Sequence, residues 1–292
     1  MIGSNGQLGT DLVRVLAQSH EVSGLTHKEI EVTSQESCSI LTSLSPDAVI
    51  NTAAFHKTDL CEDDPVKTFA VNAIGARNVA LACRSIGATD VYISTDYVFD
   101  GEKRTPYIEE DTPFPINTYG ISKLAGEFFT RQIPKHYVVR ISSVFGVAGA
   151  SGKGGNFVET MISKAKSKEQ IKVVDDQWMS PTYTMDAALT IRSMLDMGIP
   201  PGIYHAANAG CCSWYEFTKA IMELSNMDPS VLPIKSSSFQ TKARRPAFSA
   251  LASSCLSRFG IPIRNWREAL ADYLVQKGHV PKSPASKPQP RQ

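Results

Sequence analysis

The chain has 292 residues, enough for one large or two modest domains, and its 42% hydrophobic and 20% charged residues are typical of a globular protein. A formal net charge of +1 gives no electrostatic basis for binding nucleic acid or an anionic membrane. No apolar run approaches the ~20 residues of a membrane span. The chain shows no signal pattern and its cysteines lack C-x-x-C spacing, so we expect a cytoplasmic protein without a metal site.

The predicted elements of the first half alternate between helices and strands. Such alternation is typical of parallel β-α-β units. It predicts an α/β fold of the Rossmann type, with a doubly wound parallel sheet. After a glycine-rich turn and an amphipathic helix, the predicted elements are strands at 21–25 and 47–54, a helix at 64–86, a strand at 91–95, a helix at 119–132 and a strand at 137–142.

The second half is less regular and predicts a smaller C-terminal α/β region that binds substrate. We place a dinucleotide-binding domain at 1–145 and expect the chain to add further elements to this domain near 171–206. The substrate-binding region lies mainly at 146–280. The tail at 281–292 is rich in Pro, Ser and Lys, which predicts disorder. The predicted elements are helices at 156–166, 185–197, 214–224 and 266–275, and strands at 171–174 and 203–206.

Three glycines open the chain with the spacing G-x-x-G-x-x-G. Glycines of this kind permit a tight turn beside a pyrophosphate and lead into a helix whose N-terminal amides favour the anion. Only two residues precede the first glycine, where a whole strand is expected. Either the natural start is missing from this chain, or the sheet is built without most of that strand. The candidate cofactor contacts here are Gly3, Asn5, Gly6, Gln7, Leu8 and Gly9.

The end of the second predicted strand bears on the choice of cofactor. An acidic residue there would hold the adenine ribose and favour NAD. No carboxylate occupies 25–28, and Lys28 is available to pair with a 2′-phosphate, so we predict NADPH and keep NADH as the alternative. Glu31 and Val32 follow and are expected to flank the adenine. Small residues ending the next strand add three cofactor candidates: Ala53, Ala54 and Phe55.

Tyr119 and Lys123 lie four residues apart, about two dozen residues after a predicted buried strand that ends in Ser94 and Thr95. The spacing places both side chains on one helix face. We expect the lysine charge to lower the pKa of the tyrosine and make it a proton donor near neutral pH. Two other pairs with this spacing lie on amphipathic helices far from the glycine turn and are interpreted as helix surface: Tyr215 with Lys219, and Tyr273 with Lys277.

Several longer motifs together resemble the extended short-chain dehydrogenase/reductase family, from Gly3 to about residue 280. Within that family the chain most resembles the branch that reduces nucleotide-linked 4-keto sugars to dTDP-L-rhamnose. The late Arg-Pro element and the Ser-Thr-Asp-Tyr string are the most specific of the motifs. They are Gly6-Gln-Leu-Gly9, Asn51-Thr-Ala-Ala-Phe55, Ser94-Thr-Asp-Tyr-Val-Phe-Asp-Gly101, Tyr119-Gly-Ile-Ser-Lys-Leu-Ala-Gly-Glu127, Asn156-Phe157, Val174-Asp-Asp-Gln177, Ser180-Pro-Thr182 and Arg245-Pro-Ala-Phe-Ser-Ala-Leu251.

The resemblance implies an oxidoreductase in which Thr95, Tyr119 and Lys123 are catalytic. NADPH would deliver hydride to the C4 ketone of dTDP-4-dehydro-6-deoxy-L-mannose while Tyr119 protonates the oxygen. Ser94, Tyr119 and Lys123 would adjoin the cofactor. The implied substrate contacts are Asp96, Tyr97, Asn156, Gln177 and Arg245, with Trp178 as an aromatic wall and Ser143 at a position where relatives often carry tryptophan.

Two alternatives and one open point remain. The chain is alternatively another nucleotide-sugar epimerase or reductase of the same family, or a non-catalytic regulatory subunit with this fold. A dehydratase is disfavoured because Asp96 is followed by Tyr97 and not by the expected glutamate. The expected partner is a small-molecule nucleotide sugar, and a homodimer is left open. His56 is interpreted as a surface loop residue.

Overall fold

The computed structural model describes residues 1–149 and 155–281. The predicted tail at 282–292 and the centre of the glycine-rich loop after residue 146 lie outside the described residues. Among the described residues, no helix has the length and apolar character needed to cross a bilayer.

A parallel sheet forms the centre of the molecule, as predicted. Its four strands lie side by side in the order β1, β2, β3, β8, and every neighbouring pair is parallel. Because consecutive strands are joined through helices, the sheet has the doubly wound Rossmann topology. These strands are β1 (Ala48–Asn51), β2 (Thr89–Thr95), β3 (His136–Ile141) and β8 (Gly202–His205).

The sheet continues beyond β1 through single bridging residues. Ile2 lies between Leu25 and Asn51 and bridges both in parallel. Its main-chain nitrogen donates to the carbonyl oxygen of Ile50 at 2.9 Å, and its own carbonyl accepts from Thr52 at 3.2 Å. Ile2 therefore holds the position of a central strand just before the glycine turn. The predicted strand at 21–25 was wrong in extent, since only Leu25 joins the sheet.

Helices cover both faces of the sheet and most match the predicted ranges. The long helix predicted at 64–86 is present but changes to π geometry over Ala70–Ile74 between α4 and α5. The helices are α1 (Gln7–Leu16), α2 (Ser39–Leu44), α3 (Thr58–Asp63), α4 (Pro65–Phe69), α5 (Gly75–Ile86), α6 (Thr118–Thr130), α7 (Phe157–Lys166), α8 (Thr184–Met197), α9 (Trp214–Leu224), α10 (Ser254–Ser257) and α11 (Trp266–Gln276).

Short strands complete the C-terminal region around this sheet. β5 pairs with β10 and β4 with β7 in parallel, whereas β6 and β9 are antiparallel. The largest hydrophobic cluster joins this region to the sheet, because it includes Leu12 of α1, Val91 of β2 and Leu270 of α11. These strands are β4 (Val144–Phe145), β5 (Ile171–Val174), β6 (Trp178–Met179), β7 (Thr182–Tyr183), β9 (Cys212–Ser213) and β10 (Val231–Ile234).

Side chains of β2 alternate between two different environments. Val91 and Ile93 belong to the large apolar cluster that also contains α1 and α8. Tyr92 and Ser94 point to the opposite face and hydrogen-bond to the π turn and to α6. This alternation is the expected two-residue period of a strand. It places polar side chains beneath α6, the helix that carries the predicted proton donor.

The same polar face of β2 carries a buried acid, Asp90. Asp90 is 1% exposed, and neither carboxylate oxygen has a hydrogen-bond partner. Burial raises its pKa to about 7, and the neighbouring hydroxyl of Thr130 opposes the shift only in part. The pKa of Asp90 in the folded state lies above its unfolded value of about 3.9. Asp90 therefore lowers the free energy of unfolding at pH values where its carboxylate is charged.

We therefore expect Asp90→Asn to stabilise the protein at alkaline pH. The cost of the charged carboxylate is absent below about pH 4, grows as the pH rises through the window up to about 7, and is complete above it. Three pKa units correspond to up to about 4 kcal/mol. Thermal unfolding at pH 5 and pH 8 measures the effect, and an equal gain in Tm at both values would contradict it.

Candidate active site

A cavity of about 760 Å³ opens along the carboxyl edge of the sheet. Its lining includes the glycine turn, the ends of β1, β2 and β3, and the first turns of α7 and α9. The carboxyl edge is where doubly wound sheets bind ligands, because the loops there diverge to opposite faces. The cavity is therefore the candidate active site.

The glycine turn at one end of the cavity fits a dinucleotide pyrophosphate. A Cβ atom on Gly9 would lie 2.0 Å from the carbonyl oxygen of Gly3, so no side chain is tolerated where the turn closes on α1. Gly6 is the N-cap of α1, no side chain caps the helix, and its first turn has no acidic residue. The unsatisfied amides at the start of α1 are thus free to bind an anion.

The next part of the lining differs from the cofactor site predicted from the sequence. Thr26 and His27 line the cavity, whereas Lys28 is exposed and does not. The main-chain nitrogen and the side-chain hydroxyl of Thr26 each donate a hydrogen bond of 2.7 Å to the carboxylate of Glu29. This contact fixes the turn in which His27, and not Lys28, lines the cavity.

Glu31 also lies outside the lining, although its neighbour Val32 is within it. The Glu31 carboxylate accepts hydrogen bonds from the main chain and hydroxyl of Thr33 at 3.1 and 2.9 Å. The main-chain hydrogen bond is the main cause that lowers the pKa of Glu31. The carboxylate is therefore turned along its own loop, away from an adenine.

After β1, Ala53 and Ala54 line the cavity but Phe55 does not. The main chain of Phe55 is held by Asn72, whose side chain accepts at 2.8 Å and donates at 3.0 Å. Asn72 lies in the π turn, and the wider turn brings its amide to this loop. The Phe55 ring lies 5.1 Å from the Lys67 ammonium. Phe55 thus supports the loop from behind the cavity wall.

The predicted proton donor lies beside the end of β2. Tyr119 is in the first turn of α6 and packs edge-to-face on Tyr97, with ring centroids 6.0 Å apart. The neighbouring Thr95 hydroxyl acts to lower the pKa of Tyr119. Thr95 is held in turn, because its hydroxyl oxygen accepts from the Tyr97 main chain at 3.2 Å. Tyr119 and Thr95 therefore present two hydroxyl groups to the same part of the cavity.

Lys123 lies one turn further along α6 and is 2% exposed. Its ammonium donates to the carbonyl oxygen of Ile93 at 2.6 Å and lies 4.0 Å from the centroid of the Tyr92 ring. Burial lowers the pKa of Lys123 to about 7, with the Glu127 carboxylate acting in the opposite direction. The lysine is thus tied to β2, and its charge is within reach of titration near neutral pH.

The expectation that Lys123 lowers the pKa of Tyr119 was wrong for this structure. Burial raises the pKa of Tyr119 above its ordinary value, because a buried phenolate loses its solvation, and the neighbouring Thr95 hydroxyl opposes this only in part. Lys123 is engaged by Ile93 and Tyr92 and makes no hydrogen bond to Tyr119 among those found. Tyr119 consequently keeps its proton at neutral pH and is ready to donate it.

Asp96 lines the cavity, but its carboxylate is engaged within the protein. It accepts from the hydroxyls of Ser142 at 2.8 Å, Ser249 at 2.5 Å and Thr95 at 3.1 Å. Only 3% of the residue is exposed, and burial raises its pKa to about 6. Asp96 thus ties the end of β2 to the residue after β3 and to the late Arg-Pro segment, and its contact with a sugar stays a prediction.

Beneath Tyr119 and Lys123, a buried ion pair joins α6 to β3. Arg140 makes a bidentate contact with Glu127, with nitrogen–oxygen distances of 2.9 and 2.8 Å, and both side chains are 1% exposed. Ser94 donates to the same carboxylate at 2.5 Å. Arg140 also lies 3.4 Å from a ring nitrogen of His205 and 5.1 Å from the centre of the Phe99 ring. These contacts lock three elements of the catalytic region together.

Ser143 and Asn156 both line the cavity, with different freedom to bind a ligand. Ser143 has a positive φ of 44°, a strained conformation for a residue other than glycine. Asn156 is the N-cap of α7 and accepts from Glu159 at 3.1 Å. Its amide nitrogen donates to Gly146 at 2.9 Å and to Tyr273 at 3.0 Å. Asn156 thus caps α7 from the cavity wall, and its contact with the diphosphate stays a prediction.

Gln177 and Trp178 are not brought into the cavity lining. The Trp178 ring stacks on Phe248, 6.4 Å away, within a separate apolar cluster. The carbonyl oxygen of Gln177 accepts a hydrogen bond from the main-chain nitrogen of Trp214 at 3.4 Å. The main chain of Gln177 therefore lies behind Trp214, which lines the cavity. The aromatic wall predicted for Trp178 is therefore absent from the described lining.

Arg245 lines the cavity, as predicted, and is one-third exposed. Its terminal nitrogen lies 3.5 Å from a carboxylate oxygen of Asp59, a long contact for an ion pair. Its Nε atom is buried and has no hydrogen-bond partner. A buried guanidinium nitrogen without a partner is costly, and an anionic ligand in the cavity would satisfy it.

The segment that carries Arg245 is seated on the loop after β2. Gly101 has a φ of 87°, and a Cβ atom there would lie 2.7 Å from the nitrogen of Ala247. Asn117, the N-cap of α6, donates from its side chain to the carbonyl oxygen of Arg244 at 2.8 Å. The start of the catalytic helix and the Arg245 segment are therefore positioned by direct contact.

Most predicted residues converge on this cavity, and sequence reasoning missed several others. The missed residues lie in loops or at helix starts, where side-chain direction does not follow from periodicity. His56, interpreted from the sequence as a surface loop residue, is among them and is half-buried. Predicted residues in the lining are Gly3, Asn5, Gly6, Gln7, Leu8, Gly9, Val32, Ala53, Ala54, Ser94, Thr95, Asp96, Tyr97, Tyr119, Lys123, Ser143, Asn156 and Arg245, and the missed ones include Thr26, His27, His56, Thr58, Phe157, Thr160 and Trp214.

Comparisons with known proteins agree with this architecture. The family model of the RmlD substrate binding domain matches residues 1–278. The spore coat polysaccharide biosynthesis protein SpsK of Bacillus subtilis is 42% identical over 278 residues, covering 94% of this chain and 96% of that protein. A dTDP-4-dehydrorhamnose reductase of Mycolicibacterium smegmatis is 39% identical, covering 94% and 84% of the two chains.

Solved structures give the same picture. A crystal structure of dTDP-4-dehydrorhamnose reductase from Bacillus anthracis, in complex with NADP, has a TM-score of 0.89 to this chain. The two chains are 38% identical, and the match covers 94% of this chain and 97% of the other.

The position of His27 predicts which side chain sets cofactor preference. We expect His27→Glu to weaken binding of NADPH, because a second negative charge would face the 2′-phosphate, and to leave NADH binding little changed. A shift of about tenfold in the ratio of the two Kd values corresponds to roughly 1.4 kcal/mol. Titration of both cofactors measures it.

Lys28→Glu is the matched control, since it makes the same kind of substitution one residue outside the lining. A larger shift for Lys28→Glu than for His27→Glu would restore Lys28 as the selecting residue.

Proposed function

The chain belongs to the family of the RmlD substrate binding domain, and from this we propose that it is an NADPH-dependent oxidoreductase of the dTDP-4-dehydrorhamnose reductase type. It reduces the C4 ketone of dTDP-4-dehydro-6-deoxy-L-mannose to give dTDP-L-rhamnose. The observation that carries the proposal is the convergence of Thr95, Tyr119 and Lys123 on a cavity that begins at a dinucleotide-type glycine turn. A small nucleotide sugar is the expected partner, the expected location is the cytoplasm, and a homodimer stays a prediction.

The glycine turn and the start of α1 would hold the cofactor pyrophosphate through unsatisfied amides, as far as Gly9. Thr26 and His27 would adjoin its adenosine end, and Ala53 and Ala54 would lie against its centre. When bound, NADPH supplies the hydride. NADP is the cofactor in the Bacillus anthracis structure, which supports this choice.

Tyr119 is the acid of the reaction. Its phenol keeps its proton because burial disfavours the phenolate, and its Oη donates that proton to the carbonyl oxygen as negative charge develops there. The Thr95 hydroxyl lines the same cavity and would polarise the same oxygen. Lys123, one helix turn away and held by the carbonyl oxygen of Ile93, would adjoin the cofactor.

Arg245 supports a phosphate-bearing substrate. Its buried Nε lacks a partner, and its contact with Asp59 is long, so the guanidinium is available to a diphosphate. Oxidation of NADPH in the presence of dTDP-4-dehydro-6-deoxy-L-mannose tests the proposal, with a panel of other nucleotide 4-keto sugars for comparison. Absence of turnover with every member of the panel would favour the non-catalytic alternative.

Tyr119→Phe removes the proton donor and should lower kcat by roughly 10² to 10⁴, the usual contribution of a general acid. Cofactor affinity should stay nearly unchanged, because the ring remains. Steady-state kinetics and NADPH titration measure both. Tyr215→Phe is the control, since Tyr215 has the same spacing to a lysine but does not line the cavity. Normal turnover in Tyr119→Phe would remove Tyr119 from the mechanism.

Arg245→Ala should raise KM for the nucleotide sugar by about 1.5–3 kcal/mol in binding terms, because a charge-assisted hydrogen bond is lost. NADPH affinity should not change. Arg244→Ala is the matched control, as this neighbour is exposed and lies outside the lining. If Arg245 serves only its ion pair with Asp59, the variant will have a lower Tm and an unaltered KM.

A further inference from the structure

One short helix, α3, holds two other segments of the cavity region through its acidic side chains. α3 begins at Thr58, which lines the cavity together with His56. Half of its six residues are acidic: Asp59, Glu62 and Asp63. Acidic residues on a short helix are most often solvated, but each of these three is bound to another part of the chain. The acidic face of α3 therefore connects segments that are distant in sequence.

Glu62 holds the start of the helix that carries the proton donor. Its two carboxylate oxygens accept hydrogen bonds from the main-chain nitrogen of Thr118 at 2.8 Å and from the Thr118 hydroxyl at 2.7 Å. Thr118 is the first residue of α6, where main-chain amides have no partner within the helix. The start of α6 is closely packed, since a Cβ atom on Gly120 would lie 2.1 Å from the carbonyl oxygen of Tyr97. Glu62 thus fixes the residue next to Tyr119.

Asp59 lies three residues before Glu62 and holds the segment that carries Arg245. One carboxylate oxygen accepts from the main-chain nitrogen of Ala243 at 3.1 Å, and the other lies 3.5 Å from a terminal nitrogen of Arg245. Ala243 is 1% exposed, so its amide would be costly to leave without this partner. The guanidinium contact is long and partly exposed, so it adds little. Asp59 therefore places Arg245 mainly through the main chain two residues earlier.

The two segments that α3 holds also contact each other. Asn117, which precedes Thr118, donates from its side chain to the carbonyl oxygen of Arg244 at 2.8 Å. The three elements are thus joined pairwise, and each contact limits the movement that the other two would allow. In the proposed mechanism Tyr119 meets the ketone and Arg245 meets the diphosphate. The relative position of these two side chains consequently depends on α3.

We propose that Asp59 and Glu62 are positioning residues for the reaction. Asp59 places Arg245 for the diphosphate. Glu62 places Tyr119 for the ketone. The inference rests on the proposed function and deepens it, because neither carboxylate lines the cavity and each acts through another residue. Displacement of a proton donor lowers kcat, whereas displacement of a cation that binds substrate raises KM.

Steady-state kinetics with the dTDP-linked 4-keto sugar should therefore separate the two carboxylates. Glu62→Ala should lower kcat about 10- to 100-fold, since a small displacement of a reacting group is costly, and should leave KM nearly unchanged. Asp59→Ala should raise KM for the nucleotide sugar about 3- to 10-fold and leave kcat nearly unchanged. The Kd of NADPH should be unaltered in both variants.

Two conservative variants distinguish positioning by hydrogen bonds from an effect of charge. Asp59→Asn and Glu62→Gln each keep a carbonyl oxygen that accepts from the main-chain amide, so each should restore most of the lost KM or kcat. Asp63→Ala is the matched control on the same helix. Asp63 binds Lys242 through an exposed ion pair at 2.6 Å, and loss of such a pair should change neither constant by more than about twofold.

A double variant tests whether Asp59 acts through Arg245. Asp59→Ala added to Arg245→Ala should raise KM no further, because the side chain that Asp59 positions is already missing. Glu62→Ala added to Arg245→Ala should keep its full loss of kcat. A further rise of KM in Asp59→Ala/Arg245→Ala would overturn the role of Asp59. Equal losses of kcat in Asp59→Ala and Glu62→Ala, with KM unchanged, would overturn both roles, since α3 would then serve only the fold.

Two measurements do not depend on turnover. With NADP at saturation to occupy the glycine turn, the Kd of inorganic pyrophosphate should rise about 3- to 10-fold in Asp59→Ala and stay constant in Glu62→Ala. Amide hydrogen exchange should become faster at 118–120 in Glu62→Ala and at 243–245 in Asp59→Ala.

These measurements separate the inference from the proposed function. Normal reduction of the sugar together with unchanged pyrophosphate binding and unchanged exchange in Asp59→Ala and Glu62→Ala would overturn the inference and leave the proposed function intact. Failure of the unmodified chain to reduce any 4-keto sugar would overturn the proposed function. Pyrophosphate binding and exchange would then still decide whether Asp59 and Glu62 hold the two segments.

Discussion

The buried pair of Glu127 and Arg140 is the interaction on which the catalytic region depends. It joins α6 to β3 and, through Ser94, to β2, at a place from which water is excluded. Removing either partner would leave an uncompensated charge, at a cost of about 3–5 kcal/mol. The pair therefore holds α6 against β3, in the placement that puts Tyr119 beside Thr95.

The exclusion of water also sets the pKa values of Tyr119 and Lys123, which lie next to this ion pair. Burial acts on Tyr119 and Lys123 in opposite senses, raising the pKa of the phenol and lowering that of the ammonium to about 7. Both shifts favour the neutral forms, as expected when charge is moved out of water. The Tyr119 phenol keeps its proton, whereas the Lys123 ammonium is able to lose one near neutral pH. Desolvation, more than an interaction between the two side chains, sets both pKa values.

The fold and the catalytic centre followed from the sequence because their signals are local. Apolar runs and helical spacing predicted the ends of β2, β3 and α6 to within a residue or two of those observed. The pairing of Tyr119 with Lys123, soon after a buried strand, placed Tyr119 at the carboxyl edge of the sheet. Periodicity does not report the direction of loop side chains. For that reason the sequence pointed to Lys28 and Trp178, which lie outside the described lining, and did not point to His27 and Trp214, which lie in it. Nor does it show that Asn156 is a helix cap, because capping and ligand binding use the same residue type.

The contact between Gly101 and the Arg245 segment has a consequence for how this protein varies over evolution. A Cβ atom on Gly101 would meet the main chain of Ala247 and the ring of Pro246, both at 2.7 Å. A substitution at 101 would therefore displace a segment almost 150 positions away in the chain. The two stretches belong to different halves of the molecule, yet neither is free to drift alone. Sequence change is expected to be correlated between them, so that new substrate preferences arise by paired substitutions across the cavity.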